Sequence, residues 1–187
     1  SIFKADTTDI INTRLMEPEI EFDYDCMSRL DARTLNRFGR VDSELSEFVP
    51  IRSRMKIRKA LRSGGVLVIA RNSHSGEVAA CWVCYVGPAE RDVLVLQDDE
   101  LYISHAFTAP KYRGMSLQAR TLQRGLVWMQ GHGGLKRTAV AVVYPSNNAS
   151  MRGLAKVGFV ETGWLIEQRI FRFVRISKGC DDGQTFC

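Results

Sequence analysis

"LYISHAFTAPKYRGMSLQARTL", residues 101–122, decides the fold. Its first eight residues largely alternate apolar and polar and predict a strand with one buried face. Pro110 interrupts the ladder, and Tyr112-Arg113-Gly114 makes a turn. From Leu117 the apolar positions Ala119, Leu122, Leu126 and Met129 recur at spacings of three and four, the mark of one buried helical stripe. A helix that begins directly after a strand exposes unpaired backbone N–H groups at its first turn, where the helix dipole adds partial positive charge. That end suits an anion. Gly114 lets the backbone come close to a phosphate, Arg113 adds a fixed charge, and Ser116 can cap the helix or donate its hydroxyl. The ligand inferred is a pyrophosphate; taken alone, the stretch also fits a plain strand-to-helix turn with a surface arginine.

Working outward, "GHGG" at 131–134 stops the helix. "TAVAVVY", 138–144, is a continuous apolar run, the pattern of a strand covered on both faces and parallel to a neighbour. Strand 101–108, helix 117–130 and strand 138–144 then form a right-handed crossover unit. "NASMRGLAKVG" predicts a second helix ending at Gly158, and "FVETGWLIEQRIFRFVRIS" the last strands. Upstream, "SGGVLVIARN", the turn "SHSGE" and "VAACWVCYVGP" predict an antiparallel hairpin, and "PAERDVLVLQDDE" a loop with a short strand. The first third is least regular: an extended stretch around 19–24, then helical patterns near 27–38 and 51–63. The class is α/β with a mixed sheet. At 187 residues, with 45% apolar and 25% charged residues, one globular domain over 1–187 is expected, with an N-terminal extension over 1–18 and a polar tail over 178–187.

No apolar run approaches the roughly 18 to 20 residues that span a bilayer, and "SIFKADTTDI" lacks the pattern of a secretory signal, so a soluble, cytoplasmic protein without membrane contact is expected. The formal charge of +5 is concentrated in "IRSRMKIRKALR", with Arg52, Arg54, Lys56, Arg58, Lys59 and Arg62. This segment could draw an acidic substrate or an anionic cofactor, or be a solvated helix face with Ile51, Met55, Ile57 and Leu61 partly buried. Nucleic acid is disfavoured, because no zinc-finger spacing or aromatic strand signature accompanies the charge. Cys81 and Cys84 form a CxxC, but on a strand positions i and i+3 point to opposite faces, so buried free thiols and no metal site are expected. Cys180 and Cys187 lie in the polar tail.

Two motifs resemble the GNAT superfamily of acyl-CoA-dependent N-acyltransferases over about 66–175: "FTAPKYRGMSLQARTL" and "NNASMRGLAKVGF", in the family's order with a buried strand between them. The resemblance implies a mixed, mostly antiparallel sheet with a central parallel β-α-β unit flanked by helices. It implies acetyl-CoA, or a related acyl-CoA, as cosubstrate. Backbone groups of Phe107 and Thr108 would pair with the pantetheine arm. Amides of Arg113, Gly114, Met115, Ser116, Leu117 and Gln118 would cradle the pyrophosphate, and Asn147 would hydrogen-bond the pantetheine or thioester end. The thioester would sit where strands 104–108 and 142–146 splay apart. Lys111 and Ser116 depart mildly from the family pattern. Leu154 departs more, since it stands where many members carry the tyrosine that protonates the departing thiolate.

Acyl transfer to an amine needs a base, a polarised carbonyl and a proton for the leaving sulfur. Glu100 and His105 are the candidate bases, with a solvated edge carboxylate and a core histidine as their structural alternatives. Tyr144 is the candidate acid, or else a core ring with a satisfied hydroxyl. Trp164 and Phe171 could wall an acceptor pocket or pack in the core. The expected function is N-acetyl transfer to a primary amine on a small molecule or peptide, with a homodimer left open. The rival is a CoA-binding regulatory module that keeps the fold without turnover.

Overall fold

A computed structural model describes residues 1–15, 21–28, 32–85, 96–170 and 173–180. They form one eight-stranded sheet with helices on both faces. In chain order the elements are β1 Ile2–Asp6, α1 Thr7–Asn12, β2 Phe22–Ser28, α2 Ala32–Leu45, α3 Ile51–Arg62, β3 Val66–Asn72, β4 Val78–Tyr85, β5 Glu100–Thr108, α4 Leu117–Gly131, β6 Thr138–Val142, α5 Asn148–Ala155, β7 Val160–Ile170 and β8 Phe173–Cys180. The strand order is β2-β3-β4-β5-β6-β1-β7-β8. Among the described residues only β5 and β6 pair in parallel, so the expected mixed and mostly antiparallel sheet with a parallel β-α-β unit is what forms.

Side-chain alternation divides the core in two. Val68 of β3, Trp82 and Cys84 of β4, Leu101 and Ile103 of β5 and Ala139 and Ala141 of β6 point to one face, where they meet Ala119, Leu122, Leu126 and Met129 of α4. Leu67, Ile69, Cys81 and Val83 point to the other, under Phe38, Val41 and Leu45 of α2 and Ile57, Ala60 and Leu61 of α3. Cys81 and Cys84 therefore lie on opposite faces as expected, and burial pushes the Cys81 thiol up to about 12 and Cys84 higher. On the first face α4 sits close to the sheet because residue 125 is glycine: a Cβ there would overlap the Trp82 ring and Val68.

Several elements differ from their sequence expectation. The helical pattern near 27–38 is displaced, since Phe22–Ser28 pairs residue for residue with Val66–Asn72 and α2 begins only at Ala32. Backbone pairing with a long buried strand outweighs local helical propensity there. Residues 2–6, within the expected N-terminal extension, form an interior strand: β1 lies between β6 and β7 and pairs antiparallel with both. At the other end Lys178, Gly179 and Cys180 are not tail but part of β8, opposite Leu165, Trp164 and Gly163, and the Trp164 ring lies against Gly179 where a side chain would not fit. The short strand expected within 86–95, and Phe171 and Cys187, lie outside the described residues. Among the described residues no helix is long and apolar enough to cross a membrane.

Candidate active site

β5 and β6 pair from Glu100↔Thr138 to Ile103↔Ala141 and no further. Past that point each strand leans toward its other neighbour. Thr108 and Phe107 stay paired with Ala80 and Cys81 of β4, while the Val143 amide donates to the Ser1 carbonyl at 3.0 Å on the β1 side. The two parallel strands thus part at the level of Ser104, and the β6-facing backbone edge of 104–108 has no strand beside it among the described residues.

A bulge marks the same spot. Val83 faces Ser104 and Cys81 faces Phe107, so His105 and Ala106 together oppose the single residue Trp82. His105 takes φ 52, a left-handed conformation costing roughly 1 kcal/mol or more for a residue with a Cβ. Ser116, at the head of α4, has φ 53, and these are the two non-glycine residues with positive φ among the described residues. Both flank this opening, and backbone strain concentrates at functional sites.

The strand-to-helix turn is braced from several sides. Pro110–Tyr112 forms a single 3-10 turn, and the Tyr112 hydroxyl donates to Glu77 Oε2 at 3.1 Å. Lys111 ion-pairs with the same carboxylate. This pairing and the hydrogen bonds from Ser75 and Tyr112 hold the Glu77 carboxyl below its ordinary range, and Glu77 in turn raises Lys111. The Lys111 charge is therefore spent on holding the turn. Gln118 donates to Thr108 Oγ1 at 2.9 Å, which fastens the first turn of α4 to the end of β5. Met115 packs, partly buried, against the cluster of Tyr112 and Leu117.

With the turn held, Gly114 sits at φ 88 with nothing within 4 Å of where a Cβ would be. The Arg120 amide donates to the Ser116 carbonyl at 3.2 Å, which leaves the Leu117, Gln118 and Ala119 amides as the unpaired first turn of a 15-residue helix. Ser116 makes no side-chain cap bond; its hydroxyl accepts from Lys156 Nζ at 2.8 Å. Lys156, just past α5, was not among the residues the sequence nominated, although it stands within the second motif. Arg113 is exposed beside it, with Nε 3.4 Å from the Thr108 carbonyl. Among the described residues, first-turn amides, a left-handed glycine and two cations form an arrangement that suits an anion.

The nominated acid–base residues do not all gather here. Ser104 Oγ and His105 Nδ1 share a hydrogen bond at the parting point. Burial first, and then the charge of Lys56 on α3, push the His105 ring down to about 4, so it is neutral at ordinary pH. Glu100 is elsewhere: it is buried, ion-pairs with Lys4 of β1 and accepts from the Gln97 amide at 3.0 Å. It precedes Ser104 by four residues, about 13 Å along a strand. Tyr144, two residues past β6, is 79% exposed rather than a core ring. Asn147 caps α5, its Oδ1 accepting from the Ser150 amide at 3.1 Å, which leaves its side-chain NH₂ as a donor. Leu154 packs against the core under α4. Phe107 is half-buried against the α2–α3 side, and Trp164, 40% exposed, lies two strands from the opening.

A family model described as the acetyltransferase (GNAT) family matches residues 33–159. No curated protein sequence matches the chain. Among solved structures, a tandem GNAT protein from the clavulanic acid biosynthesis pathway is 11% identical with a TM-score of 0.60, over 85% of this chain and 49% of that one. AAC(6')-Iy in complex with a CoA-linked bisubstrate analogue is 15% identical with a TM-score of 0.56, over 80% of this chain and 98% of that one. The aminoglycoside N-acetyltransferase AAC(6')-Iy in complex with CoA gives 15% and 0.57, over 84% and 99%. At these identities the likeness is one of fold. The chain spans 49%, 56% and 46% of the length of three of the solved proteins it matches.

Proposed function

The chain belongs to the acetyltransferase (GNAT) family, and on that premise we propose that it moves an acetyl or related acyl group from acyl-coenzyme A to a primary amine by direct attack. The single observation that carries this reading is the parting of β5 from β6 beside the open N-terminus of α4. A thioester arm needs a backbone edge to lie along, and a diphosphate needs converging donors; the two occur side by side here. The fit is supported by Gly114, whose missing Cβ leaves the approach clear, and by Arg113 and Lys156, which add positive charge.

Coenzyme A would supply the activated acyl carbonyl and the thiolate leaving group. The chain would supply the rest. Phe107 and Thr108 offer backbone groups to the pantetheine arm, and the amides from Gly114 to Gln118 hold the diphosphate; the Arg113 amide, expected among them, is taken by the Pro110 carbonyl at 3.3 Å, so Arg113 contributes its guanidinium instead. Asn147 offers its side-chain NH₂ across the opening. Positioning an amine at attack distance accounts for much of the rate in such a reaction. His105 stays neutral at working pH and, as a weak base with a pKa near 4, can relay the proton of the ammonium formed on attack onward to water rather than hold it, steered by its bond to Ser104. Tyr144, freely exposed at the end of β6, can bring its phenol to the departing sulfur in the role that Leu154 cannot fill. A small-molecule amine, of the kind the solved aminoglycoside acetyltransferase takes, is the favoured acceptor class over a peptide amine.

Release of free thiol from acetyl-CoA in the presence of an amine panel tests the reading. Turnover that falls at least tenfold in both His105→Asn and Tyr144→Phe supports the assigned roles, and full activity in either removes that residue. A second reading, a CoA-binding module without turnover, is favoured by Leu154 alone; it predicts coenzyme binding by calorimetry with no thiol released above background.

A further inference from the structure

The formal charge of this protein is concentrated in one layer. Residues 37–62 hold eight lysines and arginines against three acids, a net +5 that equals the charge of the whole chain. Helices α2 and α3 form that layer over β3 and β4, on the sheet face opposite α4. Within α3, Ile57, Ala60 and Leu61 are buried. At about 100° per residue, the ridge opposite them is Ile51, Arg52, Met55, Lys59 and Arg62, with Lys56 and Arg58 to its sides. All seven are exposed. The sequence pattern grouped Ile51 and Met55 with Ile57 and Leu61 as partly buried; instead each is 66% exposed, and they stand one turn apart on the outer line of the helix.

Part of this charge is matched within the fold. Arg54 and Arg58 turn to Asp42 of α2 at 3.0 and 3.3 Å, Arg37 ion-pairs with Asp25, and Glu44 pairs with Arg71. Glu47 is the remaining acid: it is exposed in the α2–α3 connection and lines a hollow with Glu44 and the 75–78 turn of the β3–β4 hairpin, at one end of the layer. Arg40, Arg52, Lys56, Lys59 and Arg62 are exposed and have no carboxylate partner among the described residues. Even with Glu47 set against them, a clear cationic excess faces solvent around Ile51 and Met55. The hollow that these two line with Asp42, Arg54 and Arg58 measures about 130 Å³, below the roughly 300 Å³ at which ligand pockets begin. The face is a ridge rather than a groove.

We propose that this face of α3 docks on an anionic lipid bilayer, with Ile51 and Met55 entering the headgroup boundary and Arg52, Lys56, Lys59 and Arg62 meeting lipid phosphates. Charge complementarity selects an anion, and the two exposed apolar side chains select the lipid. A nucleic acid would answer the cations and leave Ile51 and Met55 in water, whereas a bilayer surface takes both. A ridge suits a flat surface, while a partner helix needs a groove to lie in. The contact is peripheral, since among the described residues no helix is long and apolar enough to cross a membrane. The sequence expectation of no membrane contact rested on the lack of such a run, which a surface contact does not need. The turn at the head of α4 lies on the other side of the sheet, so docking leaves it facing water. With one apolar turn and a few cations, binding is reversible and weakens in salt. The inference is independent of the acyltransferase reading.

Co-sedimentation of the full chain with vesicles tests this, using phosphatidylcholine alone and phosphatidylcholine mixed with phosphatidylglycerol at about 2:1. The chain is expected to pellet with the anionic vesicles at low salt, to be released as salt rises, and to ignore the neutral ones. Arg52→Glu/Lys59→Glu should weaken partitioning by more than about 20-fold, at roughly fivefold for each cation lost and more for its reversal. Ile51→Ser/Met55→Ser keeps every charge and should weaken it on the order of 10-fold. Arg14→Glu/Arg124→Glu makes the same change of net charge at exposed residues on the α1–α4 side and should bind as the wild type does. Thermal melts verify that each variant is folded. No binding to anionic vesicles, unaltered binding in either α3 variant, or an equal loss in the Arg14/Arg124 variant overturns the proposal. So does tighter binding to duplex DNA that survives Ile51→Ser/Met55→Ser, which would assign the face to nucleic acid.

Discussion

Replacing Gly114 separates backbone from charge at the diphosphate cradle. Its φ of 88 lies where a Cβ is disfavoured, and nothing stands within 4 Å of the added carbon. Gly114→Ala should therefore cost only the conformational penalty, about 1 kcal/mol, without a clash. Gly114→Asp adds a carboxylate that faces the inferred diphosphate. For one unit charge on each side at about 5 Å and an effective dielectric of about 20, the repulsion is about 3 kcal/mol, so coenzyme affinity should fall on the order of 100-fold below that of the alanine variant. Titration calorimetry with coenzyme A, at two salt concentrations, reads this difference. Circular dichroism melts of both variants, expected to agree within a few degrees, check that folding is not the cause. An aspartate variant that binds coenzyme within threefold of the alanine variant would falsify the placement of the diphosphate at this turn.

Two further outcomes follow from buried charge. The Glu100 side chain is 6% exposed and ion-pairs with Lys4, so Lys4→Met removes the cation beside a buried carboxylate and should lower stability by about 2 to 3 kcal/mol, whereas the double change Lys4→Met/Glu100→Gln should recover much of it. Thermal melts of the three proteins decide this, and a double variant no more stable than the single one contradicts the pairing; unchanged kcat in Glu100→Gln would also remove that residue from the chemistry. His105 has its folded pKa lowered from 6.5 to about 4, so the unfolded chain binds the extra proton first as pH falls. Stability attributable to the neutral ring is whole above about pH 6.5 and is lost progressively down to about pH 4, with roughly 1 kcal/mol gone at pH 5 after allowance for the partly solvated ring. His105→Asn, which tolerates a left-handed backbone, should flatten that dependence, and parallel melting curves across pH 5 to 7 for the two proteins would contradict it.

The order of elements from Val66 to Phe159 was written in local pattern. Alternation in 101–108, three-and-four spacing from Leu117 to Met129 and the unbroken apolar run at 138–142 each report the environment of one element. Burial is periodic along the chain wherever one element meets one core, so those segments were legible. The turn at 110–116 was legible for a related reason: proline and glycine impose their geometry on their own residues.

What the tertiary structure alone decided is pairing between distant segments. No local signal places Ile2–Asp6 between Thr138–Val142 and Val160–Gly163, because strand pairing is a choice among partners made by the whole sheet. The same holds for the site. His105 is left-handed because β4 and β5 differ by one residue in register, Glu100 is withdrawn because a lysine from the first strand reaches it, and Lys156 comes to the head of α4 from an element 40 residues away in sequence. Sequence therefore determined the strand-turn-helix geometry to which we assign the anion, since that depends on consecutive residues. Only the folded sheet could determine which side chains surround the reacting centre, since those are brought together by long-range packing.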